Sequence, residues 1–245
     1  MTVDDLGLTD RGGFELVALP RAEISRRPTM HLEVGRTPVT QQLFEDLLGY
    51  APSYFSGAPH APVESVSFHE AAGLCNEASR QLEVQPAFIV TGEGRDVRVV
   101  GIDSAAMRYG AVRVLSAAEW EWACLAGCGP DYWWGSSSTL INDHAWWRGN
   151  SGYTTVAVDA PGHTNSWGLV DMIGNVWEWC IPIDLAGVGR TDIDHPWKGG
   201  SWHSSNSADM VAGASVGSGP DVRSPGLGFR IARSYFGLDE LVQSS

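Results

Sequence analysis

Two short motifs constrain this chain more than any other feature: Gly199-Gly200-Ser201-Trp202 and Gly228-Phe229-Arg230. Both look like core strands, yet residues 203–227 between them are dominated by Ser, Gly, Ala, Val and Asp without periodicity. A flexible linker would not normally join two core elements. A long structureless loop inside a compact domain is uncommon and usually functional. The tract is therefore a catalytic loop, a binding surface or filler.

The rest of the chain reads as one α+β domain, residues 1–245, with few helices and much irregular structure. Residues 1–12 are polar and expected to fray. Residues 14–19 and 30–34 read as strands. Thr40 is placed to cap a helix over residues 41–48, closed by Gly49. Ser67 with Glu70, and Ser116 with Glu119, have capping-box spacing. The first box opens a helix burying Ala71, Ala72, Cys75 and Ala78; the second opens one carrying Trp120, Trp122, Ala123 and Cys124. Residues 88–90 and 97–100 flank Gly92-Glu93-Gly94 as a hairpin. Residues 127–166 read as ordered loop pinned by Tyr132, Trp133, Trp134, Trp146 and Trp147, and residues 181–196 as loop again. Most of the 11 tryptophans lie between Trp120 and Trp202, which fits an aromatic-anchored core or a ligand surface.

Composition excludes some functions. A formal net charge of −13 argues against nonspecific nucleic-acid or anionic-membrane binding, which needs Lys/Arg clusters. No apolar run approaches the roughly 18–20 residues of a membrane span, and no secretory leader pattern opens the sequence. The default expected address is the cytoplasm. Cys75, Cys124, Cys128 and Cys180 lack paired CxxC spacing and are expected to be buried free thiols, although Cys124 and Cys128 could share a helix face.

Further stretches, in order, carry a family likeness: PVESVSF (62–68), RVLSAAEWEWA (113–123), YWWG (132–135), and Asn165 followed by GLVDMIGNVWEW (168–179), then GGSW and GFR. Together they resemble the formylglycine-generating-enzyme-like (sulfatase-modifying factor) family. That resemblance covers residues 13–235 and implies a C-type-lectin-like fold of the formylglycine-generating-enzyme type, with its terminal strands close together. It does not choose among the family's branches. The oxidase branch holds copper with two cysteines shortly after GGS, because soft thiolates hold Cu(I). Their places fall here on Ser204 and Asp209, and no cysteine follows Cys180, so neither copper nor formylglycine-generating activity is expected. The sulfoxide-synthase branch adds a helical domain with an HxxxH-type iron site. The seven histidines here include no HxxxH or HxH pair, so no iron is expected; His60 and His69 are conceivable ligands but read by default as surface or loop histidines.

The likeness is strongest to the variable proteins of diversity-generating retroelements. These carry a hypervariable tract between GGSW and GFR that binds ligands. Adenine mutagenesis of an AAC codon yields Asn, Ser, Thr, Ile, Asp, Gly, Ala, Val, His and others, but never Lys, Glu, Gln, Trp or Met. Residues 203–226 contain no Lys, Glu, Gln or Trp. Met210 is the one residue outside the set and reads as fixed, as does Pro220-Asp221-Val222-Arg223 apart from Val222. The resemblance thus implies diversified positions at His203, Ser204, Ser205, Asn206, Ser207, Asp209, Gly213, Val216, Gly217, Ser218, Gly219, Val222, Ser224 and Gly226, with Trp202 as an aromatic anchor. Ser and Asn supply adaptable hydrogen bonds, as in paratopes, and no acid–base pair marks a catalytic centre. The expectation is a noncatalytic binder of a protein or cell-surface ligand. A metal-dependent oxidase or sulfoxide-synthase relative, and a pseudoenzyme regulatory module, are the alternatives. The resemblance also implies a structural Ca²⁺, held by Asp171 and Glu178 carboxylates and by the Gly174 and Val176 carbonyls.

Overall fold

The computed structural model describes residues 15–20, 30–160, 163–182 and 194–236; the segment expected to fray lies outside these. In chain order the described strands and α-helices are β1 (Leu16–Ala18), β2 (Met30–Gly35), α1 (Gln41–Leu48), α2 (Phe68–Gln81), β3 (Phe88–Thr91), β4 (Arg98–Ile102), α3 (Ser104–Arg108), β5 (Arg113–Val114), α4 (Ala117–Leu125), α5 (Ile141–His144), β6 (Trp177–Trp179), β7 (His195–Lys198), β8 (Val216–Ser218), β9 (Leu227–Phe229) and β10 (Ile231–Phe236). The architecture is α+β, with short elements and long ordered loops.

Local chemistry sets the helix starts. The Thr40 side chain accepts the Leu43 N–H, and Gly49 closes α1 in a left-handed conformation. Reciprocal capping boxes form at Ser67/Glu70 and Ser116/Glu119; each such cap contributes about 1 kcal/mol. The second box is reinforced by Arg113, whose fork meets Glu119 at 2.7 and 2.8 Å.

Strand pairing then closes the molecule. One sheet has the order β1-β2-β10-β5, all antiparallel, and joins the first described strand to the last through β2. The β3–β4 hairpin stands apart and carries an irregularity between Ile89 and Val90. The second large sheet has the order β8-β7-β6-β9, in which β6 and β9 run parallel. Two apolar clusters fill the interior. One gathers Phe44, Phe68, Trp179 and Phe229; the other gathers Leu115, Trp120, Met172 and Ile173. Met210 and Ala212 belong to the second cluster, so the tract between GGSW and GFR is partly core.

Four expectations need correction. The GGSW motif is not a strand: β7 ends at Lys198, and the two glycines turn the chain away. Residues 195–196, the end of the stretch read as loop, open β7; residues 183–193 lie outside the described set. The loop over 127–166 contains a 3-10 turn at Ser138–Leu140 and the single-turn α5. Cys128 lies beyond the end of α4 and is exposed, so it shares no helix face with buried Cys124. The aromatic pinning of the loop does hold: Tyr132 stacks on Trp134 at 4.5 Å, and His144 stacks on Trp134 at 4.8 Å.

Candidate ligand-binding surface

The surface begins where β7 stops. Lys198 is fully buried, with its Nζ donating to Glu121 Oε1 at 2.6 Å above the Trp120 ring. Gly199 and Gly200 follow with φ of 96° and 78°, a region that other residues enter at a cost. Their neighbours exclude a Cβ as well: one on Gly199 would lie 2.8 Å from the Met172 carbonyl oxygen, and one on Gly200 2.7 Å from Met210 Cγ. After this turn Ser201 and Ser204 bond reciprocally: Ser201 N–H donates to Ser204 Oγ, and Ser204 N–H to the Ser201 carbonyl, both at 3.0 Å. Trp202 is half-buried. Its backbone N–H reaches the Asn175 carbonyl at 2.7 Å, and its indole N–H reaches the Pro225 carbonyl at 2.9 Å. That indole bond ties the two ends of the tract together.

Between these ends the tract forms two arms. The first, residues 203–213, lies along residues 131–151. Arg148 N–H donates to the Ser204 carbonyl, Tyr132 Oη–H to the Ser207 carbonyl, and Ala212 N–H to the Asp131 carbonyl. His203, Ser205, Asn206, Asp209 and Gly213 of this arm are exposed and Ser207 is half-buried, whereas Met210 and Ala212 are fully buried beneath them. The second arm, residues 216–226, begins with β8, which pairs on β7, and returns past the N-terminus of α2. Phe68 N–H donates to the Pro220 carbonyl and Ser65 N–H to that of Ser224. Arg223 Nε meets the buried Glu70 carboxylate at 2.7 Å, while Asp221 lies 3.5 Å from Arg98. Val216, Gly217, Gly219 and Val222 are exposed; Ser218 and Ser224 are half-buried.

Two residues in the implied diversified set sit apart from the others. Ser204 is buried and its hydroxyl is committed to the turn. Gly226 is buried, and a Cβ there would lie 3.1 Å from Ser201 Oγ. Both belong to the frame. The Pro220-Asp221 and Arg223 frame has its physical reason in the α2 contacts above.

The places of the oxidase branch's copper ligands hold a buried hydroxyl and an exposed carboxylate, Ser204 and Asp209, both hard oxygen donors unsuited to Cu(I). His69 is buried; its Nδ1 accepts the Val99 N–H, and burial depresses its pKa despite the nearby Asp221 carboxylate. The two carboxylates implied for calcium are engaged by different protein groups. Asp171 Oδ2 accepts from Asn175 Nδ2 at 2.9 Å, and its Oδ1 lies 3.5 Å from His163 Nδ1. Glu178 turns instead to Arg230 and the Trp120 indole, at 2.8 and 2.7 Å. Gly174 packs against Trp146, and Val176 immediately precedes β6. The set does not fit a calcium ion shared by both carboxylates.

Sequence reasoning missed the aromatic residues that join this surface from other loops. Tyr54 is 70% exposed and packs edge-on against Phe55, which packs edge-on against Trp202 at 5.3 Å. Tyr153 is 62% exposed; it neighbours Trp202 through Ser151, whose hydroxyl donates to the Trp202 carbonyl at 2.8 Å. The Phe55 N–H is held by Glu64, a buried carboxylate whose pKa burial pushes up. The available signal was an aromatic pair in a Pro/Gly loop with no core periodicity.

A mixed α+β frame with short strands, its first and last described strands in one sheet, and a long turn-rich tract between β7 and β9 defines a C-type-lectin-like fold of the formylglycine-generating-enzyme type. The solved structure of Treponema denticola variable protein 1 shares that fold, with a TM-score of 0.72 at 24% identity, covering 90% of this chain and 94% of that one. The chain belongs to the sulfatase-modifying factor family: the Sulfatase-modifying factor enzyme 1-like domain matches residues 11–235. Among curated relatives, Chaperone protein LppX of Paenibacillus barcinonensis is 28% identical over 94% of this chain and 90% of its own length. The Inactive C-alpha-formylglycine-generating enzyme 2 of Bos taurus is 28% identical over 70% of this chain, which spans 57% of that relative's length.

Proposed function

We propose that this protein is a noncatalytic ligand-binding module whose 203–226 tract selects a protein or cell-surface partner, and that a diversity-generating retroelement varies that tract. The observation that carries this reading is the division of labour within the tract. Met210, Ala212, Ser204, Gly226 and Arg223 are committed to core packing, the turn or an ion pair. His203, Ser205, Asn206, Asp209, Gly213, Val216, Gly217, Gly219 and Val222 face solvent. Side chains that the frame does not need can change without unfolding it. Tyr54, Tyr153 and Trp202 add constant aromatic area beside the variable positions, the pairing of rigid rings with small polar groups that paratopes use. The oxygen donors at the copper positions further favour binding over oxidation.

The DNA beside the gene tests the diversification claim. A reverse transcriptase and a near-identical template repeat are expected, with mismatches only at adenines. Those mismatches should fall on codons for exposed positions and spare Ser204, Met210 and Gly226. An intact locus without a template sinks that claim. Stoichiometric copper or iron in the purified protein, with oxygen consumption, overturns the noncatalytic reading.

A further inference from the structure

We propose that Arg230 is the resident cation at Glu178: its guanidinium fills an all-oxygen cage and leaves no place there for a metal. Arg230 and Glu178 are each 1% exposed. Arg230 Nε donates to Glu178 Oε1 and Oε2 at 3.2 and 3.1 Å, and Nη2 donates to Oε1 at 2.8 Å. The remaining donors take backbone oxygens: Nη1 reaches the Gly35 and Arg36 carbonyls, both at 2.8 Å, and Nη2 reaches that of Val170 at 2.7 Å. A guanidinium has five N–H groups, and these contacts occupy all of them. The Trp120 indole completes the shell around Glu178 at 2.7 Å from Oε2.

Three carbonyls and one carboxylate are the hard donor set that Ca²⁺ would otherwise use. Here those oxygens already surround a positive charge, and a second cation among them would be repelled at short range. Asp171, the other carboxylate implied for calcium, accepts from Asn175 through Oδ2, and its Oδ1 lies 3.5 Å from His163 Nδ1 without a hydrogen bond. Arg230 thus ties the end of β2, the Val170 loop and β6 together across sequence separations of 195, 60 and 52 residues. A bound ion can dissociate; a covalently attached guanidinium cannot. The join is therefore permanent and independent of calcium.

The Trp120 indole N–H reports on Glu178 directly, and its ¹H–¹⁵N resonance can be assigned by its loss in Trp120→Phe. In the wild-type protein the resonance is expected to stay fixed between EDTA and excess calcium chloride. A saturable displacement by calcium overturns the proposal. The second measurement is denaturant unfolding of Arg230→Lys. An ammonium has three donors, so buried carbonyls are left unpaired, and the folded-to-unfolded ratio is expected to fall roughly thirtyfold or more. An Arg230→Lys protein as stable as wild type would equally overturn it.

Discussion

Neighbouring substitutions in the first arm should differ sharply in cost, because buried and exposed residues lie side by side there. Met210 is fully buried in the second core cluster, with its Cγ against the Gly200 turn. Met210→Ala removes apolar contacts that the rigid turn cannot close over, a loss of about 3 kcal/mol. For a chain of this size each kcal/mol lowers Tm by about 2–4 °C, so a fall of about 6–12 °C is expected. Asp209 is exposed, and Asp209→Ala should stay within about 0.5 kcal/mol, or under about 2 °C. The same contrast holds one turn earlier. Ser204→Ala strands the buried Ser201 N–H, costing about 1–3 kcal/mol, whereas Ser205→Ala touches nothing the frame needs. Scanning calorimetry on the four single variants makes the comparison. If Ser205→Ala or Asp209→Ala costs as much as its buried neighbour, the separation of frame from surface is wrong, and with it the physical basis for a variable tract.

Three further outcomes follow from buried charge and exposed thiol. Glu119→Gln breaks the buried pair with Arg113 and should cost about 3–5 kcal/mol by denaturant titration. Burial alone would raise the Glu119 pKa, but the Arg113 charge and the Ser116 hydrogen bonds outweigh it and hold the pKa low. Its contribution should be complete at neutral pH and be lost as pH falls below the ordinary carboxylate range toward the depressed folded value; a Glu119→Gln penalty that persists unchanged in strong acid would contradict this. Arg223→Ala leaves Glu70 with the exposed Arg95, at 3.5 Å, as its remaining cation among the described residues, and hydrogen exchange should quicken across residues 216–226 while α2 keeps its protection. Of the four cysteines only Cys128 is exposed, and burial pushes the Cys75, Cys124 and Cys180 thiols up; a thiol reagent should therefore label one site in native protein and four in denaturant.

The features legible in the sequence are those whose cause lies within one turn of chain. Ser67 with Glu70 and Ser116 with Glu119 announce their helices because both partners of the capping box are three residues apart. Gly49 closes α1 for the same local reason. Strand β7, His-Pro-Trp-Lys, shows no alternation, since Lys198 is buried by Glu121 and Trp120, which lie far away in sequence. Strands of three residues, such as β6, β8 and β9, are too short to display a period. The two glycines of GGSW read as strand because position φ is invisible in a residue name; only the Met172 and Met210 contacts reveal the turn.

The candidate surface divides along the same line. The 203–226 tract was readable as a candidate surface, since a restricted residue alphabet is a property of the sequence itself. The aromatic residues beside it were not, since Tyr54 and Tyr153 reach Trp202 through Phe55 and Ser151, contacts made only by the folded chain. Glu178 shows the consequence for inference by resemblance. A motif transfers the identity of a carboxylate, but its partner is set by whatever the fold brings near. Here that is the Arg230 guanidinium, 52 residues away, whose donors reach both Glu178 oxygens.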